Sequence, residues 1–552
     1  MLNNIHMRNK IIKVTSKTSL LVLVGLATIL ATGTGQTATD IWSGATSSAW
    51  STGSNWGDGS APASGDVAQF TSGNATPTLA AGDFTIQRIN YTGNVDFNIT
   101  GAGSAVTRLT LDPTSAGGIA FIGSTAGTAT SQTFSALTVI LNDSNSSGQV
   151  KLQPRNGQQF VIASDAKLQI GSTAAQAVIL EAQNASGAGA ALTINGVLIG
   201  GVAGSSILAE NSGVLNLNLA AGSNLENLQL RAGSGGVINF IGGGDFGGSV
   251  NPSAGGRFNL ATSGITVGST TGFSFSTGGI IGATYASGTS TLNGQISLAT
   301  GTGTSTFDVA SGGTLALANR VQLGGASAIV EKTGNGTLAL TYSSGTGNSF
   351  TASAFNVRAG TLLVNNTGNT TASAAAVNVF AGATLAGAGR ITGATTISGI
   401  LAPGNSIGTL RVANDVTWNG GSLLGGGATT DWQFELGTAN AADLLQITGA
   451  ASEFIRGTGT TFRFDFLGST DTGIFKLVDW ESTASVGGGE LGTNFAATDF
   501  SYTNLGGGNS GTFRFNGSSL EFQAIPEPSS LVMLIGGGVC LILVRRFGRS
   551  GV

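Results

Sequence analysis

Five short stretches along the chain repeat one arrangement of apolar and polar positions: SGGTLAL (311–317), GNGTLAL (334–340), RAGTLLV (358–364), AGATLAG (381–387) and SIGTLRV (406–412). Their threonines, Thr314, Thr337, Thr361, Thr384 and Thr409, follow one another at sequence steps of 23, 24, 23 and 25. Each unit joins a turn-forming Gly to Thr-Leu-x-Leu, whose alternate residues face one side of a strand. Weaker echoes upstream, NSGVLNLNL (211–219) and GSGGVINFI (233–241), separate Val214 from Val237 by a step of 23 again. A fixed period of this length signals a repeat architecture. One such unit cannot bury its leucines alone, but stacked coils line them into a continuous core. The pattern therefore predicts an all-β, parallel β-solenoid (β-helix) over residues 81–430, with Gly and Asn at the corners. Coils of about 24 residues stacked at ~4.8 Å give roughly 14 coils and a rod ~70 Å long. A leucine-rich repeat is disfavoured because no helical segment separates the strands. Separate β-sandwiches predict strands every 8–12 residues without a long period.

The flanks differ from the repeats. DIWSGATSSAWSTGSNWGDGSAPASGDVAQF (40–70) holds Trp42, Trp50 and Trp56, three of the six tryptophans, and residues 39–80 read as an N-terminal cap. Exposed, the same rings would offer a stacking platform for sugars; buried, they plug the open end of the solenoid. Beyond residue 430, DWQFELGTANAADLLQITG, TTFRFDFLGSTDTGIFKLVDW and SGTFRFNGSSLEFQAIPEP alternate apolar and polar positions with larger side chains. Residues 431–524 are predicted to form an antiparallel β closure.

Composition narrows the class. Only 9% of the 552 residues are charged, 41% are apolar, and Gly contributes 90 against 8 Pro. Without a Gly-x-y period this is not a collagen, and low charge with this apolar content is not the signature of a disordered chain. So much Gly, Ser, Thr and Asn weakens helices and suits turns.

Charge is informative by location. Arg8, Lys10, Lys13 and Lys17 precede an apolar run from Leu20 to Ala31 and then small polar residues, the tripartite layout of a signal peptide over 1–38. Arg545, Arg546 and Arg549 follow a second apolar run, Leu531–Val544. Removing those seven from the 23 Lys and Arg leaves 16 against 27 Asp and Glu, a formal charge of −11 for the rest. Such a body is a poor partner for nucleic acid, which needs clustered cations. As a helix, the second run spans roughly 21–24 Å, and snorkelling arginines bring it near a ~30 Å hydrocarbon core. A short C-terminal transmembrane helix is thus predicted, its basic end cytoplasmic and the body of the protein across the membrane. Pro526 and Pro528 stop any helix from running back into the body.

Pro526-Glu527-Pro528, a short apolar segment and the basic cluster Arg545, Arg546, Arg549 together resemble the PEP-CTERM sorting signal, over residues 525–552. The resemblance implies processing by a membrane-embedded exosortase, in a Gram-negative bacterium that makes exopolysaccharide. It implies an inner-membrane-tethered precursor and a released protein at the cell surface or in the extracellular matrix (biofilm). VEKTGNGTLALTYSSGTGNSFTASAFNVRAGTLLVNN (330–366) is similar to the autotransporter-associated β-strand repeat, and LAGAGRITGATTISGILAPGNSIGTLRVANDVTW (385–418) to the coils that often follow it. This second resemblance implies a secreted right-handed β-helix and carries no catalytic residue. The terminal membrane β-barrel of an autotransporter has no counterpart in the stretch after Trp418.

Candidate chemistry is sparse. The one His is His6 and the one Cys is Cys540, both in the end segments, so Ser-His, Cys-His and histidine-metal sites are excluded from the body. Carboxylates remain, and paired ones serve β-helix polysaccharide lyases and hydrolases. DFTIQRINYTGNVDF (83–97) and RFDF (463–466) offer isolated acids, which solvated loops explain. Arg358, Arg390 and Arg411 recur near repeat turns, where charge discourages lateral sheet pairing. GGGDFGG (242–248) is a single imperfect likeness of a calcium-binding nonapeptide. No catalytic, cofactor or metal residue is assigned. The expected function is that of a structural or adhesin-like protein whose Ser/Thr/Asn-rich faces meet extracellular polysaccharide. The competing reading is a β-helix lyase or glycoside hydrolase.

Overall fold

A computed structural model describes residues 38–527, except 72–74, 93–95, 114–117, 124–130, 145–147, 155–157, 172–176, 182–190, 234, 243–246, 269–270, 299–301, 324–327, 343–352, 367–374, 422–430 and 483–490. Among the described residues there is no α-helix, only strands, turns and three single-turn 3₁₀ segments. The strands are short because the chain turns a corner every few residues, and many alternate inward apolar with outward polar side chains. In Lys167–Ile170, for example, Leu168 and Ile170 are buried while Lys167 and Gln169 are half-buried.

Successive strands fall on successive faces. Gln149–Gln153, Gln159–Ile162 and Lys167–Ile170 form one coil, and Ala177–Glu181 then returns to pair in parallel with Gln149–Gln153. Repetition builds a 12-stranded first face, from Thr39–Ile41 to Val321–Leu323, and a 15-stranded second face, from Phe97–Thr100 to Phe454–Arg456. A third face comes in two blocks, five strands from Gly82–Ile86 to Val197–Ile199 and seven from Thr266–Val267 to Ile400–Pro403. Every pairing within these faces is parallel, so the architecture is a three-sided parallel β-solenoid.

The threonine ladder sits on the third face. Thr314, Thr337, Thr361 and Thr384 pair in register, one coil after another. Behind them Leu315, Leu338, Leu362, Leu385 and Leu401 stack inside, each no more than 1% exposed. Fully burying one such side chain is worth about 1.5–3 kcal/mol. Corners ahead of the threonines need the left-handed region: Gly334 has φ +70° and Gly360 φ +64°.

The fifth repeat departs from the ladder. Thr384 pairs with Ile400, well before a full period has passed, and Thr409 lies in a further sheet opposite Leu444. A short coil places the strand Ile400–Pro403 where the period called for Thr409–Val412. Val214 and Val237 are in register as their spacing predicts, but on the second face.

Parallel stacking starts earlier and ends later than the repeats suggest. Thr39–Ile41 already pairs with Val67–Phe70. Trp42, Trp50 and Trp56 lie between these strands, buried and in edge contact at ring distances of 5.0 and 4.8 Å. Buried rings cannot serve as a sugar platform.

At the other end, the closure expected to be antiparallel from residue 431 is parallel over much of its length. Thr409–Val412, Leu444–Ile447 and Gly473–Trp480 pair in parallel, as do Trp432–Gln433, Phe462–Asp465 and Phe500–Thr503. Among the described strands of this region, antiparallel pairing involves Ser519–Pro526, which sits between Gly473–Trp480 and Asn509–Phe515; the bridges Gly421–Thr461 and Leu436–Ala442 are also antiparallel. Period-2 alternation is common to both strand directions, so it does not set the direction.

No helix among the described residues is long and apolar enough to cross a membrane. The signal peptide (but for Ala38) and the span Leu531–Val544 expected from the sequence lie outside the described residues.

Candidate binding surfaces

The outer wall of the second face carries a ladder of amides. Asn216, Asn239 and Asn259 occupy equivalent places in three successive coils. Asn239 Nδ2 donates to Asn216 Oδ1 at 2.9 Å, and Asn259 Nδ2 to Asn239 Oδ1 at 3.0 Å. Asn216 Nδ2 in turn reaches Thr193 Oγ1 at 3.2 Å. The next rung is Gly282, which adds no side chain. Over this gap Arg257 reaches Asp308, Nη2 to Oδ2 at 2.6 Å. Asp308 also accepts from Thr333 Oγ1 at 3.1 Å. Burial raises the Asp308 carboxyl, but Arg257, Thr333 and Lys332 outweigh it and hold it below its ordinary range.

Lys332, fully buried, turns its ammonium to a corner. Nζ donates to the carbonyls of Thr333 at 2.9 Å, Gly334 at 2.7 Å and Ala359 at 3.0 Å, so its three donors are satisfied. Burial pushes it down to about 8, against the pull of Asp308.

The arginines noted in the sequence are wall features. Arg358 pairs with Glu331 at 2.9 Å and lies 4.0 Å over the ring of Phe380. Arg390 and Arg411 are register neighbours in the sheet that follows the first face.

Where the third face is interrupted, between Val197–Ile199 and Thr266–Val267, a groove of about 590 Å³ opens. Ser205, Glu226, Asn227, Gln229 and Ser249 supply its polar lining. Glycoside hydrolysis needs two carboxyl groups roughly 5–9.5 Å apart about the scissile bond. Among the described residues, Glu226 is the one carboxylate in its lining.

Two buried acids with raised carboxyls stand elsewhere. Asp40, 2% exposed, is raised to about 6 by burial, by its hydrogen bond with Asp58, and by the charges of Asp58 and Asp66. Asp58 is held low by the Ser60 N–H and by Asp40. Asp443, equally buried, accepts from the N–H groups of Gly408 at 2.9 Å and Glu435 at 2.8 Å, bracing the loop 404–408. Burial raises it to about 6 in spite of those bonds. No group of three or more metal-ligating side chains assembles among the described residues. Asp245 of the nonapeptide-like stretch lies outside them.

Of the Pro-Glu-Pro motif expected from the sequence to direct sorting, Pro526 closes the last strand opposite Asn509, and Glu527 follows it, both exposed. Pro528, Arg545, Arg546 and Arg549 lie outside the described residues. Sequence reasoning missed the Arg257–Asp308 pair, the Lys332 corner and Asp443, none of which has a local spacing signal. No family model matches the chain, and no curated protein matches it.

Proposed function

We propose that this chain is an exported, structural or adhesin-like protein of the cell surface or extracellular matrix, right-handed in its coiling as parallel crossovers favour, and sorted through Pro526-Glu527-Pro528 by an exosortase. The observation that carries the polysaccharide reading is the second face. Over four successive rungs its coils stack hydroxyl and amide groups at ~4.8 Å, a spacing that suits a polymer better than a small molecule. The half-buried Thr193, Asn216 and Asn239 are the centre of that wall, and the buried Asn259 ends the ladder. The exposed Pro526 and Glu527, at the end of the last strand, are open to a processing enzyme. Proline there also lacks the N–H that would extend the ladder. Arg545, Arg546 and Arg549 would hold the precursor's tail at the inner membrane until release.

Fractionation of the native cells with intact-mass measurement tests this. The reading expects a matrix or surface form lacking the basic tail. A full-length form retained in the inner membrane overturns the sorting, and a matrix form that does not bind exopolysaccharide overturns the adhesive role.

A further inference from the structure

At the C-terminal end of the solenoid, two sheet edges face a common cleft. Phe500–Thr503 is the last strand of its three-stranded sheet, and Asn509–Phe515 the last of its six-stranded sheet. Between them lies a cleft of about 470 Å³, lined by Thr498, Phe500, Ser501, Tyr502, Thr512 and Phe513 together with Ala497 and Gly511. The rings of Phe500 and Phe513 are 5.6 Å apart, and those of Tyr502 and Phe513 6.3 Å. Tyr502 and Phe513 are half-buried, while Ser501 and Thr512 are exposed.

No lining side chain is charged. An uncharged cleft on a chain of net negative charge gives a polyanion no counter-charge, whereas a neutral ligand loses nothing there. Ring faces flanked by hydroxyls match a pyranose, which has apolar C–H faces and an equatorial rim of hydroxyls. An added peptide strand is less suited, because the Gly511 N–H, which an incoming strand would need, already donates to Tyr502 Oη at 3.0 Å. In that bond Tyr502 accepts, so its own proton remains free to donate to a ligand.

We infer that this cleft is a subsite for a short stretch of neutral glycan. The inference rests on the polysaccharide reading above and gives it a defined point of attachment, distinct from the long second face. The ligand contacts are ring stacking on Tyr502 and Phe513 and hydrogen bonds to Ser501, Thr512 and the Tyr502 hydroxyl.

The test uses the full chain and a panel of neutral tetrasaccharides of glucose, mannose and galactose, read by saturation transfer from aromatic protein protons to sugar protons. At least one tetrasaccharide is expected to bind saturably. Tyr502→Ala is expected to weaken it tenfold or more, and Thr512→Arg, which fills the cleft from an exposed position without touching the core, to do the same. Unchanged binding in Thr512→Arg, binding of none of the panel, or preference for an extended peptide overturns the inference. Binding of the full chain to native exopolysaccharide in a pull-down, measured in parallel, separates the two readings: its retention in Thr512→Arg leaves the second-face reading standing when the cleft fails, and its absence in the unmodified chain removes that reading.

Discussion

Arg257 and Asp308 are two coils apart, yet the guanidinium meets the carboxylate at 2.6 Å by passing over Gly282. The pair exists because the rung between has no side chain. A Cβ on Gly282 would sit 2.7 Å from Asn259 Oδ1 and 3.3 Å from Arg257 Nη2. Gly282→Ala is therefore expected to displace the ion pair and lower stability by about 1–2 kcal/mol. Urea unfolding read at both ends of the rod checks this, and an unchanged midpoint would show that the crossing is not tight.

Lys332 is satisfied only by carbonyls. Lys332→Met keeps the volume but leaves the oxygens of Thr333, Gly334 and Ala359 without their donor, at an expected cost of about 2–4 kcal/mol. The ammonium is pushed down to about 8, below its unfolded value. The folded state thus holds fewer protons than the unfolded chain above that pH, and stability from this group rises between pH 8 and about 10.4. The methionine variant should lack that rise in melting temperature.

For Asp443 the sign is reversed. Its folded value, about 6, lies above the ordinary 3.8, so the folded state binds the extra proton. The stabilising contribution is complete below about pH 3.9 and is lost as pH rises through 6. Asp443→Asn removes this dependence, and the difference in melting temperature between the unmodified chain and the variant should widen in favour of the former as pH falls from 7 to 4.5. A difference independent of pH would place the Asp443 carboxylate in water.

Much of this was open to a reader of the sequence, for physical reasons that can be stated residue by residue. Leu338 and Leu362 must face one side because Thr-Leu-x-Leu alternates, and equal coil lengths put Thr337 beside Thr361. Where coil length varies, the period stops guiding. Far more chain separates Val161 from Thr193 than Asn239 from Asn259, though each is a single step on the second face. That variation hid Asn259 as the next rung after Asn216 and Asn239, hid the Arg257–Asp308 pair, and let Thr409 pass as a fifth rung. The cleft between Tyr502 and Phe513 was hidden for another reason: alternation marked Phe513 as strand but could not say that its strand ends a sheet.

The stacking itself can be measured with two spin labels. Thr133 and Thr333 lie on one line of the second face, joined through Val161, Thr193, Asn216, Asn239, Asn259, Gly282 and Asp308. Eight steps of ~4.8 Å put their backbones about 38 Å apart. Pulsed dipolar spectroscopy on the Thr133→Cys, Thr333→Cys protein, with Cys540→Ser to remove the native thiol, should give one narrow distribution near that distance, widened only by the label arms. A broad distribution, or a maximum more than half as long again as the stacked separation, would mean that the coils do not stack.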